Sequence, residues 1–138
     1  MTLLDATPVD YQRLRRRRLL LGGIALLVVL SLAGYLYWPR YVARRTVTHF
    51  MDAIQRHNYQ MAYFIWQANP REYSMDRFMQ DWGPSSSWGT IKTFSIDGVE
   101  SPGSNSSGLV VFVKINGRHD EARLWVERKT HELSFYEF

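Results

Sequence analysis

The 138-residue chain contains no cysteine. This absence excludes disulfide bridges, zinc sites with cysteine ligands and thiol catalysis. It also excludes a bacterial lipoprotein anchor, which needs a cysteine just after an apolar run. A domain without crosslinks depends on its apolar core, for which phenylalanine, tyrosine and tryptophan supply large buried areas.

Charged residues are missing from the segment 19–38, which Pro39 and Arg40 follow. Its length is about that which a helix needs to cross the hydrocarbon core of a bilayer. Arginines precede the segment and aromatic rings end it, which is typical of a spanning helix. We therefore predict one uncleaved transmembrane helix over 19–38. The predicted membrane-interface residues are Arg15, Arg16, Arg17, Arg18, Tyr35, Tyr37, Trp38 and Arg40.

Two other interpretations of this segment stay open. Ser31-Leu32-Ala33 offers small residues at which a signal peptidase could cut, and the order of basic, apolar and small-residue regions fits a signal peptide. Cleavage would remove residues 1–33. The third interpretation is a buried core helix, although such a helix is rarely apolar on every side and flanked by arginines.

Positive charge is asymmetric about the segment. Five arginines and no lysine precede it, and Arg40, Arg44 and Arg45 follow it. Because positive charge stays on the cytoplasmic side of a membrane, the N-terminus is predicted to be cytoplasmic. The C-terminal domain is then expected outside the inner membrane of the cell, in the periplasm.

The net charge of +4 is unevenly distributed along the chain. Residues 1–45 carry eight basic and two acidic residues, which gives +6, whereas residues 46–138 carry nine basic and eleven acidic residues, which gives −2. The basic character therefore belongs to the membrane flanks. Since a nucleic-acid-binding domain needs a basic face of its own, nucleic acid is not expected as a partner.

Hydrophobic periodicity predicts three helices after the span. Apolar residues recur at i, i+3, i+4 and i+7 from Val47 to Ile54, which indicates one buried helix face. A second helix is predicted over 59–67 and a third over 74–82, capped by Ser74. The predicted core residues of these two helices are Met61, Phe64, Ile65, Phe78 and Met79.

From residue 90 the pattern changes to strands, and Asn116-Gly117 is a strong signal for a hairpin turn. The strands are predicted over 90–99, 109–115, 118–128 and 132–138. Three helices packed on one face of this four-stranded antiparallel sheet make an α+β domain. The predicted organisation is a cytoplasmic basic tail over 1–18, a transmembrane helix over 19–38, a juxtamembrane linker over 39–45 and an extracytoplasmic α+β domain over 46–138.

A two-residue hairpin turn fixes which side chains share a face of the sheet. It places Asp120 opposite Val113, on the face that packs against the helices. The other face carries more aromatic rings than a solvated sheet normally does. Because aromatic residues and arginine dominate interface energies, this face is the predicted partner-binding site. Its residues are Phe112, Arg123, Trp125, Tyr136 and Phe138.

No catalytic, metal-binding or cofactor-binding residue is predicted. His49, Asp52 and Arg56 lie opposite the apolar stripe of their helix and are interpreted as a solvated face. His131 lies at a turn, without a metal-ligand spacing around it. Asp120 is the one polar residue predicted on the packed face, where it marks either a solvated sheet end or a small polar cavity.

The segment VTHFMDAIQRHNYQMAY (47–63) is similar to the first helix, short polar–aromatic junction and second helix of the NTF2-like (cystatin-like) superfamily. The strands over 89–138 resemble the curved sheet of that superfamily in order and length, but the Gly-x-Trp pattern usual before its last strand is missing. A weaker resemblance is to cytochrome-oxidase assembly factors, which also join one membrane helix to a small α+β domain. Both resemblances imply an anchored domain that binds other proteins.

We therefore predict a single-pass, membrane-anchored protein-interaction domain that is not an enzyme. Its expected partners are the lipid bilayer and an integral membrane protein complex, of which it would be an accessory or assembly subunit. The alternative is a tethered NTF2-fold domain that binds a small molecule or acts as a lyase or isomerase. That alternative requires a buried polar group in a cavity, for which Asp120 is the only candidate.

Overall fold

The computed structural model describes residues 10–67 and 69–137. It confirms the α+β class, with helices first and a four-stranded antiparallel sheet after them, whereas the NTF2-like fold stays a prediction. The elements are α1 (Tyr11–Gln55), α2 (Tyr59–Trp66), α3 (Met75–Trp82), β1 (Phe94–Glu100), β2 (Gly108–Ile115), β3 (Glu121–Glu127) and β4 (Leu133–Phe135). The chain divides into two compact units, Met1–Tyr37 and Trp38–Phe138.

Helix α1 begins earlier than the predicted span. The Asp10 carboxylate accepts hydrogen bonds from the backbone N–H groups of Gln12 and Arg13 at 3.2 and 3.4 Å, as an N-cap residue does. The predicted tail 1–18 is therefore helical from Tyr11 onward, and residues 1–9 lie outside the described part of the chain. An 18-residue window of α1 has a mean hydropathy of 2.4 and no buried residue, so this helix is long and apolar enough to span a membrane.

Helix α1 also extends further than predicted, because residues 39–45, the predicted linker, are helical. Pro39 lies inside the helix and removes one backbone hydrogen bond, but no glycine or second proline follows before Val47. The helix predicted to begin near Val47 is therefore the C-terminal part of α1. The buried residues of α1 are Ala43, Val47, Phe50, Met51, Ala53 and Ile54.

Helix α1 ends in a Schellman motif. His57 has a positive φ of 58°, and its N–H donates to the Ile54 carbonyl at 2.9 Å. The N–H of Asn58 donates to the Ala53 carbonyl at 2.8 Å. These two bonds satisfy carbonyl groups at the helix end. The Asn58 side chain then accepts a hydrogen bond from the N–H of Met61 at 3.2 Å and caps α2.

The buried face of α2 differs from the prediction. Ala62 and Trp66 are buried, whereas Met61 and Phe64 are 49% and 76% exposed. Ile65 is partly buried against the core. The placement of Met61 and Phe64 in the core is therefore wrong. Because α2 is apolar on nearly every side, its hydrophobicity does not define which side faces the core.

Helix α3 begins as predicted. The Ser74 side chain accepts a hydrogen bond from the N–H of Arg77 at 3.3 Å, which makes Ser74 the N-cap residue. The helix ends at Trp82, and a Cβ atom at the C-cap residue Gly83 would lie 2.3 Å from the backbone oxygen of Met79. Glycine at this position allows the close approach of the two backbone segments.

The sheet has the strand order β1-β2-β3-β4. In the β2–β3 hairpin, Leu109 pairs with Val126 and Val113 pairs with Ala122. The predicted register is wrong by two residues, and β3 and β4 are both shorter than their predicted ranges. Because the register difference is even, the residues of the two paired strands keep their predicted faces.

The hairpin loop explains the difference in register. Asn116 and Gly117 have φ angles of 53° and 66°, which are both positive as a type I′ turn requires. Strand β3 nevertheless begins only at Glu121, so residues 118–120 lie outside the ladder. Asp120 is exposed in this loop, and its predicted position on the packed face is wrong.

The Asn116 side chain ties the hairpin turn to the segment before β1. Its Oδ1 atom accepts hydrogen bonds from the N–H groups of Lys92 and Thr93 at 2.8 and 3.2 Å. Its Nδ2 atom donates to the Thr90 carbonyl at 3.0 Å. Because these bonds use backbone groups of residues 90–93, those residues lie outside the sheet. Strand β1 begins at Phe94 rather than at the predicted residue 90.

An aromatic cluster joins the helices to the sheet. Phe50 is fully buried, and its ring centroid lies 5.1 Å from that of Trp66 and 5.0 Å from that of Trp82. Phe78 packs edge-on against Phe50 at 6.2 Å. Phe135 of β4 stacks on Trp82 at 5.6 Å, with an interplanar angle of 4°. Phe50 is therefore a fully buried member of the aromatic cluster that links α1, α2 and α3.

Candidate partner-binding surfaces

The face of the sheet that points away from the core brings together four of the predicted partner-binding residues. Arg123 is exposed there, and Phe112, Trp125 and Tyr136 are partly buried. The fifth predicted residue, Phe138, lies outside the described residues. We call Phe112, Arg123, Trp125 and Tyr136 the outer aromatic surface.

Trp125 and Tyr136 form a stacked pair within the outer aromatic surface. Their ring centroids are 5.8 Å apart and their planes meet at 11°. Val110 lies opposite Trp125 on β2 and is only 3% exposed, although it is on the outer face. A Cβ atom at Gly108 would lie 2.4 Å from the Trp125 ring. The glycine therefore leaves the space in which this ring packs.

Charged groups lie on the same two strands as Phe112 and Trp125. The guanidinium carbon of Arg123 is 6.0 Å from the centroid of the Phe112 ring, within reach of a cation–π interaction. The Lys114 ammonium binds the carboxylate of Asp97 and lies 3.6 Å from that of Glu121. The hydrogen bond between Lys114 and Asp97 lowers the pKa of Asp97 and raises the pKa of Lys114. The outer aromatic surface therefore combines aromatic rings with a guanidinium, and the Lys114 ion pairs lie on the neighbouring part of β2.

A second surface lies between α1 and α2, which form an open groove of about 870 Å³. One wall is apolar and consists of Met61, Phe64 and Ile65 from α2. The other wall comes from α1 and includes His49 and Arg56. We call this feature the α1–α2 groove. Its other lining residues are Thr46, Asp52, Ala53, Asn58, Gln67 and His131.

The sequence interpretation missed the α1–α2 groove. It placed His49, Asp52 and Arg56 on a solvated face, and their exposure agrees with that in part, since Asp52 is half-buried. It did not predict that apolar residues of α2 stand beside them. The signal was present in α2 itself, because a short helix that is apolar on most sides has more apolar surface than one core contact covers.

Among the described residues, Tyr73 has a strongly raised pKa. The Tyr73 hydroxyl donates a hydrogen bond to the Asp81 carboxylate at 2.7 Å. Burial of Tyr73 and this hydrogen bond raise the pKa of Tyr73 far above its usual value, so the hydroxyl stays protonated. Within residues 10–67 and 69–137, no group of three or more histidine or carboxylate side chains is placed to hold a metal ion.

The predicted membrane-interface residues all belong to α1. Tyr35, Tyr37 and Trp38 are 78%, 66% and 65% exposed. The arginines at positions 15, 16, 17, 18 and 40 are exposed as well. Their contact with lipid headgroups stays a prediction.

No protein-family model matches the chain, and neither a curated protein nor a solved structure matches it. The resemblance to the NTF2-like superfamily and the weaker one to cytochrome-oxidase assembly factors therefore stay predictions from the sequence.

Proposed function

We propose that the chain is a membrane-anchored protein-interaction module, an accessory or assembly subunit of a larger membrane protein complex. The outer aromatic surface carries this proposal. A face of an antiparallel sheet that meets only water is normally polar, whereas this one presents Trp125 stacked on Tyr136 beside Arg123. Tryptophan, tyrosine and arginine are the residue types that contribute most to protein–protein affinity.

The anchor in this proposal is the apolar part of α1. Its hydropathy and the absence of any buried residue from its apolar window suit a bilayer rather than a protein core. Five arginines before the apolar segment and three after it support a cytoplasmic N-terminus and a periplasmic domain. An uncleaved single-pass topology keeps the domain beside the membrane complex that it binds.

The geometry gives less support to a small-molecule site or a lyase-like enzyme. A pocket of the NTF2 type would lie over the packed face of the sheet. Val111, Val113 and Leu124 on that face are 0% exposed, because core side chains pack against them. Asp120, the polar candidate for such a pocket, is exposed in the hairpin loop. We therefore propose a non-enzymatic role.

Replacing both rings of the stacked pair tests the proposed function. The Trp125→Ala/Tyr136→Ala variant is expected to reduce co-purification of membrane partners by at least about tenfold, since two interface anchors are lost. The protein is extracted gently from its native membrane, and the proteins recovered with it are quantified by mass spectrometry. Unchanged recovery would contradict the docking role of this surface.

Controls separate lost contacts from lost folding. Tyr41→Ala removes an aromatic ring that is 56% exposed on α1 and is expected to leave recovery unchanged. Trp125→Phe and Tyr136→Phe keep an aromatic ring at each position and should retain most of the recovery. A far-UV circular dichroism spectrum like that of the unmodified protein shows that the double alanine variant is folded.

The absence of cysteine makes the proposed topology directly testable. Gln12→Cys precedes the apolar segment, and Lys129→Cys lies in the turn between β3 and β4. A membrane-impermeant maleimide applied to spheroplasts is expected to label position 129 and to label position 12 only after permeabilisation. The reverse pattern would contradict the orientation. Cleavage would remove residues 1–33 and with them position 12. It would be indicated if position 12 stays unlabelled even after permeabilisation and the protein is shorter on a gel.

A further inference from the structure

We infer that the turn between β3 and β4 (residues 128–132) lies on the membrane and binds anionic phospholipid headgroups, beside the point where α1 leaves the bilayer. This inference rests on the proposed function, because it requires α1 to be the membrane anchor. It concerns a part of the folded domain to which the proposed function gives no role. A domain held by its helix and by this turn has a fixed orientation on the membrane surface.

The β3–β4 turn lies beside the part of α1 that follows Trp38. Arg128 and His131 line a small cavity of about 90 Å³ together with residues of α1 between Pro39 and Ala43. These residues of α1 follow Trp38 by about 2–8 Å along the helix axis. The headgroup layer on one side of a bilayer is about 5–8 Å thick. Because Trp38 is a predicted membrane-interface residue, the turn lies at or just above the level of the lipid phosphates.

Cations predominate at this end of the domain. Helix α1 has three arginines and no carboxylate between Pro39 and Met51, and the turn adds two exposed cations. The five cations are Arg40, Arg44, Arg45, Arg128 and Lys129, and the carboxylates at this end are Glu100, Glu127 and Glu132. Together they give a net charge of +2. The remaining part of residues 39–138 has seven basic and eight acidic residues, which gives −1, so the positive excess belongs to this end.

Ion pairs do not neutralise these cations. Within the part of the chain that the structure describes, none of the five forms an ion pair. Arg128 donates a hydrogen bond from its Nη2 atom to the Ser101 hydroxyl at 3.3 Å, which is a neutral partner. The neighbouring Glu127 carboxylate instead accepts hydrogen bonds from the Ser107 hydroxyl at 3.0 Å and from the Trp125 indole N–H at 3.4 Å. The cations are therefore available to phosphate groups.

Anionic lipid suits this end of the domain better than another protein does. A second copy anchored in the same membrane would present the same positive end at the same height, so like charges would face each other. An acidic partner protein would have to displace the lipid phosphates that lie at the level of the turn. Each lysine or arginine near an anionic membrane surface raises the ratio of bound to free turn about fivefold. Because α1 already holds the turn near the bilayer, such weak contacts are sufficient.

Fluorescence quenching in nanodiscs tests the inference with the full chain. Because the chain has no cysteine, Thr130→Cys places a single fluorophore in the turn and leaves its cations unchanged. In discs that contain phosphatidylglycerol, acrylamide is expected to quench this label about threefold more slowly than in discs of phosphatidylcholine alone. Acrylamide is neutral, so the lipid charge does not itself repel it. High salt should reduce the difference between the two lipids.

Removal of the two turn cations should abolish the effect of anionic lipid. The Arg128→Gln/Lys129→Gln variant is expected to lower the ratio of bound to free turn about 25-fold and to restore fast quenching. Arg56→Gln/Lys92→Gln is the matched control and should change nothing. It removes two cations near Gln55, whose side chain donates a hydrogen bond to the Lys92 carbonyl, about 25 Å beyond the membrane-interface residue along α1. A label at His119→Cys, in the loop between β2 and β3, should be quenched equally in both lipids.

The outcomes separate this inference from the proposed function. Equal quenching of the Thr130→Cys label in both lipids, for a chain that elutes with the discs, would overturn the inference and leave the anchor intact. An unchanged effect of lipid in Arg128→Gln/Lys129→Gln would overturn it as well. Shielding that depends on the number of chains in each disc would assign the turn to a contact between copies. A chain that does not elute with the discs would contradict the anchor and the inference together.

Discussion

Phe50→Ala is expected to destabilise the domain by about 3–5 kcal/mol, the cost of removing a fully buried phenylalanine ring. Phe50 is 0% exposed, and its ring contacts Trp66, Phe78 and Trp82. Alanine would remove the ring from the centre of this cluster and leave a cavity that three rigid rings cannot easily fill. Small domains are stable by only about 5–15 kcal/mol in total. The variant is therefore expected to lose a large fraction of its folding free energy.

Thermal unfolding of the full chain in detergent, followed by tryptophan fluorescence, measures the Phe50 effect. The Tm should fall by at least about 12 °C, given about 4–8 °C for each kcal/mol in a domain of this size. Phe64→Ala is the matched control, because it removes the same ring from a position that is 76% exposed. Its effect should stay within about 0.5 kcal/mol. Similar effects of the two variants would contradict the larger contribution of the buried Phe50 ring to stability.

Gly108→Val is expected to destabilise the sheet by about 1–3 kcal/mol, as overpacking of a filled site does. A Cβ atom at this position would lie 2.4 and 2.5 Å from two atoms of the Trp125 ring and 2.6 Å from the Val126 carbonyl oxygen. The ring could move only by leaving its stack with Tyr136, and the carbonyl could move only with β3. Valine has a higher strand propensity than glycine, by up to about 1 kcal/mol. A net loss of stability would therefore be due to the steric conflict.

Gly103→Val provides the comparison for Gly108→Val. A Cβ atom at Gly103 would have no neighbour within 4 Å, and the backbone there is not in the left-handed region. Urea unfolding of both variants should show a lower midpoint for Gly108→Val and little change for Gly103→Val. Co-purification should fall only for Gly108→Val, because only that change disturbs the outer aromatic surface. Equal midpoints would contradict the close packing of Trp125 on the β2 backbone.

Local features of the fold could be predicted from the sequence where neighbouring residues determine them. Ser74 caps α3 because its side chain reaches an N–H only three residues later. The start of β1 could not be predicted, since it depends on bonds from Asn116 to residues about two dozen positions earlier. The buried face of α2 could not be predicted either, because Ala62 and Phe64 are both apolar and only packing against α1 and α3 decides between them.

The two candidate surfaces also differ in how far the sequence predicts them. Side chains alternate between the two faces along a strand, and this alternation is enough to place Phe112, Arg123 and Trp125 on one face. An error of two residues in the register does not alter that placement. The stacking of Trp125 on Tyr136 depends on the β3–β4 pairing, in which Trp125 lies opposite Ser134. The α1–α2 groove depends on how two helices pack. The apolar sides of α2 indicate apolar surface outside the core, but no short sequence signal shows which element lies beside it.

The consecutive order of the strands has a consequence for the rate of folding. Strands β2, β3 and β4 each pair with the strand that precedes them, and the connections are seven, five and five residues long. Such local pairing keeps contact order low, and low contact order favours fast folding. Because a chain emerges N-terminus first during synthesis, each strand finds its neighbour already available when it appears. A domain without disulfides can in this way complete its sheet early and leave few strand edges unpaired for aggregation.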